Sequence, residues 1–203
     1  MWLKTKIQNE NTFLIVGLGN PGRDYQSNRH NVGFMFINKL AQRLGVIFSR
    51  YERKALVTKV DYFGRRLLLA KPQTYMNLSG HSVKEIYRFY KIPLEQLLIA
   101  YDDVDLPLGV IRLRPGGGSA GQKGMISIIE QLGSQEFPRM RLGIGRPPGR
   151  MEATDYVLQD FSAKEGEILS ITLETAIEAA LTFVTEGLVP AMNKYNGGSE
   201  RDE

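Results

Sequence analysis

The hydrophobic positions of this chain switch repeatedly between short apolar runs and helical spacing. Phe13–Leu18 is an apolar run closed by Gly19-Asn-Pro-Gly22, which predicts a buried strand feeding a turn. From about Asn31 to Leu44, Val32, Phe36, Ile37, Leu40 and Leu44 recur at helical spacing and Gly45 provides a stop, so a helix follows. Ala55–Tyr62 and Arg65–Lys71 flank Phe63-Gly64 and read as a hairpin, its second strand ending at Pro72. A helix is expected near Ser82–Tyr90, then an apolar strand at Leu97–Tyr101 that runs into Asp102-Asp103-Val-Asp105. Val110–Arg114 alternates, which puts Arg112 and Arg114 on one face of a strand. Residues 115–124 are a glycine-rich loop, Met125–Leu132 a helix and Met140–Gly145 a strand. The last helix is the best marked: Ser162-Ala-Lys-Glu165 has the form of a capping box, an apolar face runs from Ile168 to Val184, and Gly187 ends it.

Strands interleaved with helices argue for an α/β layer fold, and the hairpin makes its sheet mixed. The expectation is a single-domain globule with a twisted mixed β-sheet flanked by helices. It covers residues 1–195, with residues 196–203 as a flexible C-terminal tail. A length of 203 residues suits one domain, and no linker or internal repeat divides it.

Composition narrows the chemistry. The chain has no cysteine and two histidines, which removes a disulfide framework, a thiolate nucleophile and a cysteine zinc site, and leaves little for a transition metal. The N-terminus is too polar for a signal peptide, and no later apolar run is long enough to span a bilayer. The expectation is therefore a cytoplasmic protein that uses no metal and no cofactor and contacts no membrane. Charge is uneven: residues 1–109, 110–150 and 151–203 carry +7, +5 and −8. A basic middle beside an acidic C-terminal segment suggests a surface that faces a polyanion, and an evenly solvated basic face explains charge alone equally well.

Three motifs match by letter and fail in context. Gly17-Leu-Gly19-Asn-Pro-Gly22 follows a strand like a dinucleotide fingerprint. However, helical periodicity begins too late, and no acidic residue lies between Asp24 and Glu52 for a ribose. Gly117-Gly-Ser119-Ala-Gly121 resembles a nucleophile elbow, yet both histidines precede Ser119, whereas that triad needs one after it. Gln122 interrupts what would otherwise approach a P-loop.

What remains is His30, Asn20, Asn31, Asn77 and Asp102, drawn from three loops near strand ends, where open α/β sheets place their sites. An imidazole can take a proton from water near neutral pH, and a carboxylate on its other nitrogen fixes the tautomer. Amides at Asn20 and Asn77 offer donors to a carbonyl or an oxyanion. Each residue also has a plainer role: Asn20 as a turn residue, Asn31 and Asn77 as helix caps, Asp102 in a solvated turn. His81 has only such a role, at the start of a helix.

Taken together, Gly17-Leu-Gly-Asn-Pro-Gly22, Tyr25, Arg29-His-Asn31, Lys71-Pro-Gln-Thr-Tyr-Met-Asn77-Leu-Ser-Gly80, Asp102-Asp-Val-Asp-Leu-Pro107 and Arg141-Leu-Gly-Ile-Gly145-Arg-Pro147 resemble bacterial-type peptidyl-tRNA hydrolases. The motifs span most of the chain in the family's order. The resemblance implies a monomeric α/β enzyme that cleaves the ester between a peptide and the 3′ terminal ribose of tRNA. It implies His30 as base, Asp102 as its orienting carboxylate, and Asn20 and Asn77 as positioning groups in a catalytic set. Tyr25, Asn31, Met76 and Lys123 would contact substrate, and Arg112, Arg114, Arg141 and Arg150 would contact tRNA phosphates. One departure stands out: where the family usually has His-Asn before the last loop glycine, this chain has Gln122-Lys123. Lysine there either trades neutral positioning for phosphate attraction or marks a non-catalytic RNA-binding protein on the same fold, like the plastid splicing factors that resemble the hydrolase.

Overall fold

The computed structural model describes residues 11–197. In chain order the strands are β1 (Thr12–Gly17), β2 (Arg50–Glu52), β3 (Ala55–Tyr62), β4 (Arg65–Pro72), β5 (Leu97–Asp103), β6 (Ile111–Arg114) and β7 (Arg139–Gly143). The helices are α1 (Val32–Arg43), α2 (Ser79–Tyr90), α3 (Lys123–Leu132), α4 (Ala153–Tyr156), α5 (Ala163–Glu186) and α6 (Leu188–Tyr195). Among the described residues the strands form one sheet in the order β2-β3-β4-β1-β5-β7-β6. β1 runs parallel to β4 and β5, and β5 parallel to β7, whereas β2–β3, β3–β4 and β6–β7 are antiparallel. The sheet is mixed, as the hairpin requires.

Strand alternation divides the interior into two layers. Phe13 and Ile15 of β1, with Leu98 and Ala100 of β5, face a core completed by α1 and α5, while Leu14, Val16, Leu97, Ile99 and Tyr101 face one completed by α2 and α3. Contrary to the expectation that no run is long enough, α5 is long and apolar enough to span a bilayer. Instead it spends its apolar face on the first core, with Leu173, Ala176, Ile177, Ala180 and Val184 buried. Its capping box forms as expected, Ser162 accepting from Glu165 N and Glu165 accepting from Ser162 N.

Two glycines set the position of α1. A Cβ on Gly33 would lie 2.5 Å from the backbone of Ala100 and Leu18, and one on Gly17 2.1 Å from Gly33 O. The first turn of α1 therefore touches the backbone of β1 and β5 directly. This explains the glycine that mimicked a dinucleotide fingerprint: it admits a helix rather than a phosphate. Asn196, the first residue of the expected tail, is anchored, its side chain accepting from Leu113 N at 2.7 Å and donating to Leu113 O at 3.0 Å. The rest of that tail from residue 198 lies outside the described residues.

Candidate active site

The C-terminal ends of β1, β4 and β5 border a cleft of about 570 Å³. His30 reaches it from a 3₁₀ turn, Arg29–Asn31, that runs straight into α1. Because Gly33 seats α1 against β5, this turn hangs over the end of β5, and His30 Nδ1 meets Asp102 Oδ2 at 2.8 Å. Both are buried, at 8% and 3% exposure. A carboxylate accepts from Nδ1–H, so the tautomer is fixed and Nε2 is the nitrogen left for proton transfer. Asp102 lies inside β5 rather than in a turn after it, which rules out the solvated-turn role.

The second oxygen of Asp102 is held as well. Gln122 Nε2 donates to Asp102 Oδ1 at 2.9 Å and contacts Met76 Sδ at 3.3 Å, while Gln122 Oε1 accepts from Met125 N at 2.7 Å and caps α3. The backbone donor orients the amide: because Oε1 must face Met125 N, the N–H side must face Asp102. The residue read from sequence as a departure is thus the partner of the carboxylate. Its signal in the sequence was its place three residues before the helix expected at Met125, within reach of that residue's backbone N–H.

Asn20 is oriented in the same way. Its Oδ1 accepts from Met76 N at 2.8 Å, so its Nδ2 remains as a donor at the cleft wall. Asn31, expected to touch substrate, does not line the cleft. It is 2% exposed, accepts from Asn20 N at 2.8 Å and donates to Asn20 O at 2.9 Å, and so splints the Asn20 backbone. Asn77, Tyr25, Met76 and Lys123 line the cleft, Asn77 and Lys123 exposed and Met76 buried.

The four arginines expected on phosphates lie outside the cleft lining. Two are committed elsewhere. Arg112 donates to the carbonyls of Ile111 and Asn196, and Arg141 Nε is bound to Asp103, which holds its guanidinium pKa above the ordinary value against the opposing effect of burial. Arg114 and Arg150 are exposed and carry no ion pair among the described residues. Arg139, which was not singled out, is fully buried. It donates to Gly117 O at 2.6 Å, Gly118 O at 3.0 Å and Gln135 O at 2.8 Å, anchoring the glycine loop that delivers Gln122.

Sequence reasoning missed the remaining wall, Ala153, Thr154, Val157 and Leu158. This segment is pinned beside the histidine by His30 N to Val157 O at 2.8 Å, Arg29 N to Gln159 O at 3.0 Å, and Asn28 Nδ2 to Asp160 Oδ1 at 2.7 Å. Arg29 completes the fastening: it stacks 4.3 Å over Tyr156, donates to Asp160 O at 2.7 Å, and grips both oxygens of Glu165 at 2.9 Å. No motif in 151–162 signals this role, which exists only through contacts more than a hundred residues away in sequence.

The family model described as peptidyl-tRNA hydrolase matches residues 14–203. A peptidyl-tRNA hydrolase of Carboxydothermus hydrogenoformans is 50% identical over 186 residues, covering 92% of this chain and 99% of that protein. The chloroplastic peptidyl-tRNA hydrolase of Arabidopsis thaliana is 52% identical over 176 residues, 86% of this chain and 61% of that one. Among solved structures, a peptidyl-tRNA hydrolase from Acinetobacter baumannii aligns with a TM-score of 0.86 at 36% identity, covering 92% of this chain and 95% of that one.

Proposed function

The chain belongs to the peptidyl-tRNA hydrolase family and hydrolyses peptidyl-tRNA, and we propose that His30 is the general base of that reaction. The observation that carries this reading is the buried His30–Asp102 contact at 2.8 Å on the wall of a cleft that Asn20 and Asn77 also line. His30 Nε2 takes a proton from a water as that water attacks the ester carbonyl. Asp102, accepting from Nδ1–H, stabilises the imidazolium that forms. The tetrahedral oxyanion accepts from Asn20 Nδ2, which is already aimed because Met76 N occupies the other end of the amide. Asn77 holds the substrate at the exposed rim. Collapse of the intermediate breaks the bond to the ribose oxygen, His30 returns its proton there, and peptide acid and free tRNA leave. Every step uses side chains alone.

Lys123, exposed at the first residue of α3, supplies a cation at the cleft mouth for an RNA phosphate, and Arg114 and Arg150 extend that attraction over the surface. Arg112 and Arg141 are assigned to structure instead, because each commits a guanidinium nitrogen inside the fold, Arg112 to Asn196 O and Arg141 to the Asp103 carboxylate. The enzyme acts as a monomer, in the cytoplasm where translation supplies its substrate. No observation favours the non-catalytic RNA-binding alternative. Peptide release from an N-blocked aminoacyl-tRNA by wild type and Asp102→Asn tests the reading. It predicts a loss of at least about 10²-fold with tRNA binding retained, and equal rates would remove Asp102 from the mechanism.

A further inference from the structure

The β2–β3 turn is built from residues its backbone disfavours. Arg53 and Lys54 are both left-handed, with φ of 53° and 60°, between Glu52 and Ala55, which pair across the hairpin. A two-residue turn with both central residues left-handed is served with least strain by Asn-Gly, since a Cβ at positive φ crowds the carbonyl oxygen, glycine has none and asparagine tolerates the region. Here the strained geometry is locked: Ser82 Oγ donates to Arg53 O at 2.8 Å and Gln73 N to Lys54 O at 2.7 Å. Backbone strain that the surroundings impose and hold is a pointer to what the side chains do.

These side chains form a cationic surface faced with aromatic rings. The Arg53 guanidinium lies 4.1 Å over Phe89, which is 54% exposed, and Lys59 Nζ lies 4.5 Å over Tyr90. The Tyr90 hydroxyl donates to Glu52, which also faces Arg50. Lys54 pairs with Glu85 at 2.6 Å, so the four cations Arg50, Arg53, Lys54 and Lys59 meet Glu52 and Glu85 and leave an excess of positive charge. A guanidinium lying on an exposed ring keeps its edge N–H groups for an anion, and an open ring face accepts a base; proteins hold single-stranded nucleic acid with this combination.

The surface adjoins the cleft. Ala55 pairs with Pro72 and Val16 with Ala70, so the turn stands at the same end of the sheet as the cleft, two strands from β1 or ~10 Å sideways. The Gln73 hydrogen bond joins it to the loop that carries Met76 and Asn77. We propose that the Arg53–Lys54 turn, with Arg50, Lys59 and Phe89, is a second RNA-contacting surface that holds the phosphate backbone of the substrate beside the cleft. An RNA chain presents an anion at every residue, whereas a peptide of varying sequence offers this surface nothing constant. The proposal rests on the reading that the substrate is peptidyl-tRNA.

Replacing Arg53→Asn together with Lys54→Gly supplies the turn with the residues it prefers and removes two cations. Thermal unfolding is expected at the same or a higher temperature. Deacylated tRNA, titrated at several salt concentrations, is expected to bind ~8-fold more weakly at 0.1 M salt for each phosphate that is no longer neutralised, with a salt slope shallower by about one. Arg53→Gln, which leaves Lys54 in place, is expected to shift affinity and slope in the same direction. Unchanged affinity and slope in either folded variant overturns the proposal. Absence of peptide release by the wild type would instead overturn the substrate reading, and is measured separately.

Discussion

Replacing Gln122 by glutamate changes the role of one atom and leaves the shape of the site almost untouched. A carboxylate keeps the 2.7 Å contact with Met125 N and suits the first turn of α3, so the fold is expected to persist. The other contact inverts. A donor 2.9 Å from Asp102 Oδ1 becomes a carboxylate, next to a residue only 3% exposed. A hydrogen bond to a charged group, worth about 1.5–3 kcal/mol, is removed. In its place comes a repulsion of about 4 kcal/mol for charges about 4 Å apart at an effective dielectric of about 20. Without that donor and beside a like charge, Asp102 loosens its hold on His30 Nδ1–H. If the transition state is deprived of the same 1.5–3 kcal/mol, roughly, kcat falls about 10- to 150-fold. Single-turnover peptide release with enzyme in excess reads this directly. A rate within about twofold of wild type would refute the claim that Asp102 needs a donor on its second oxygen.

Asn20→Asp keeps the acceptor for Met76 N and removes the cleft donor, so kcat should fall about 10²- to 10³-fold with thermal stability nearly unchanged; a normal kcat would take Asn20 out of oxyanion binding. Gly33→Ala drives a methyl to 2.5 Å from backbone atoms of Leu18 and Ala100, and urea denaturation should show a loss at or above the upper end of the ~1–3 kcal/mol typical of overpacking. Glu165 is pushed up by burial but held below the ordinary carboxylate pKa by Ser162 and Arg29. Its contribution to stability is therefore present above the unfolded value of about 4.5 and is lost as pH falls through the lower folded value. Thermal unfolding of Glu165→Gln should accordingly show a weaker decline than wild type in that acid range.

The elements legible in the sequence were those whose signals are local. The Phe63-Gly64 hairpin and the capping box at Ser162 were read correctly because alternation, turn and cap lie within a few residues of one another. α2 begins three residues before the periodicity suggested, at Ser79, because Gly80 packs against Ser127 O of α3 and so presents no apolar side chain to be counted. No helix was expected after Gly187, yet α6 follows it directly and carries Pro190 in its first turn, where the missing N–H breaks no helical hydrogen bond. β2 was missed because Arg53-Lys54 carries no turn signal. In the site, loops near strand ends singled out His30, Asp102, Asn20 and Asn77 and the resemblance gave them roles, but the fixed orientation of the Asn20 and Gln122 amides depends on backbone donors at Met76 and Met125 that only the folded chain supplies. Asn31 was given to the substrate by the resemblance alone, whereas in space it faces backward onto the Asn20 backbone.

The central claim, that His30 is the base for ester hydrolysis, is tested most directly by single-turnover peptide release from peptidyl-tRNA by wild type and His30→Ala, both at enzyme concentrations that saturate tRNA binding. The variant is expected to bind tRNA normally and to release peptide at least about 10²-fold more slowly, the lower range for loss of a general base. Equal release rates for the two proteins would contradict it.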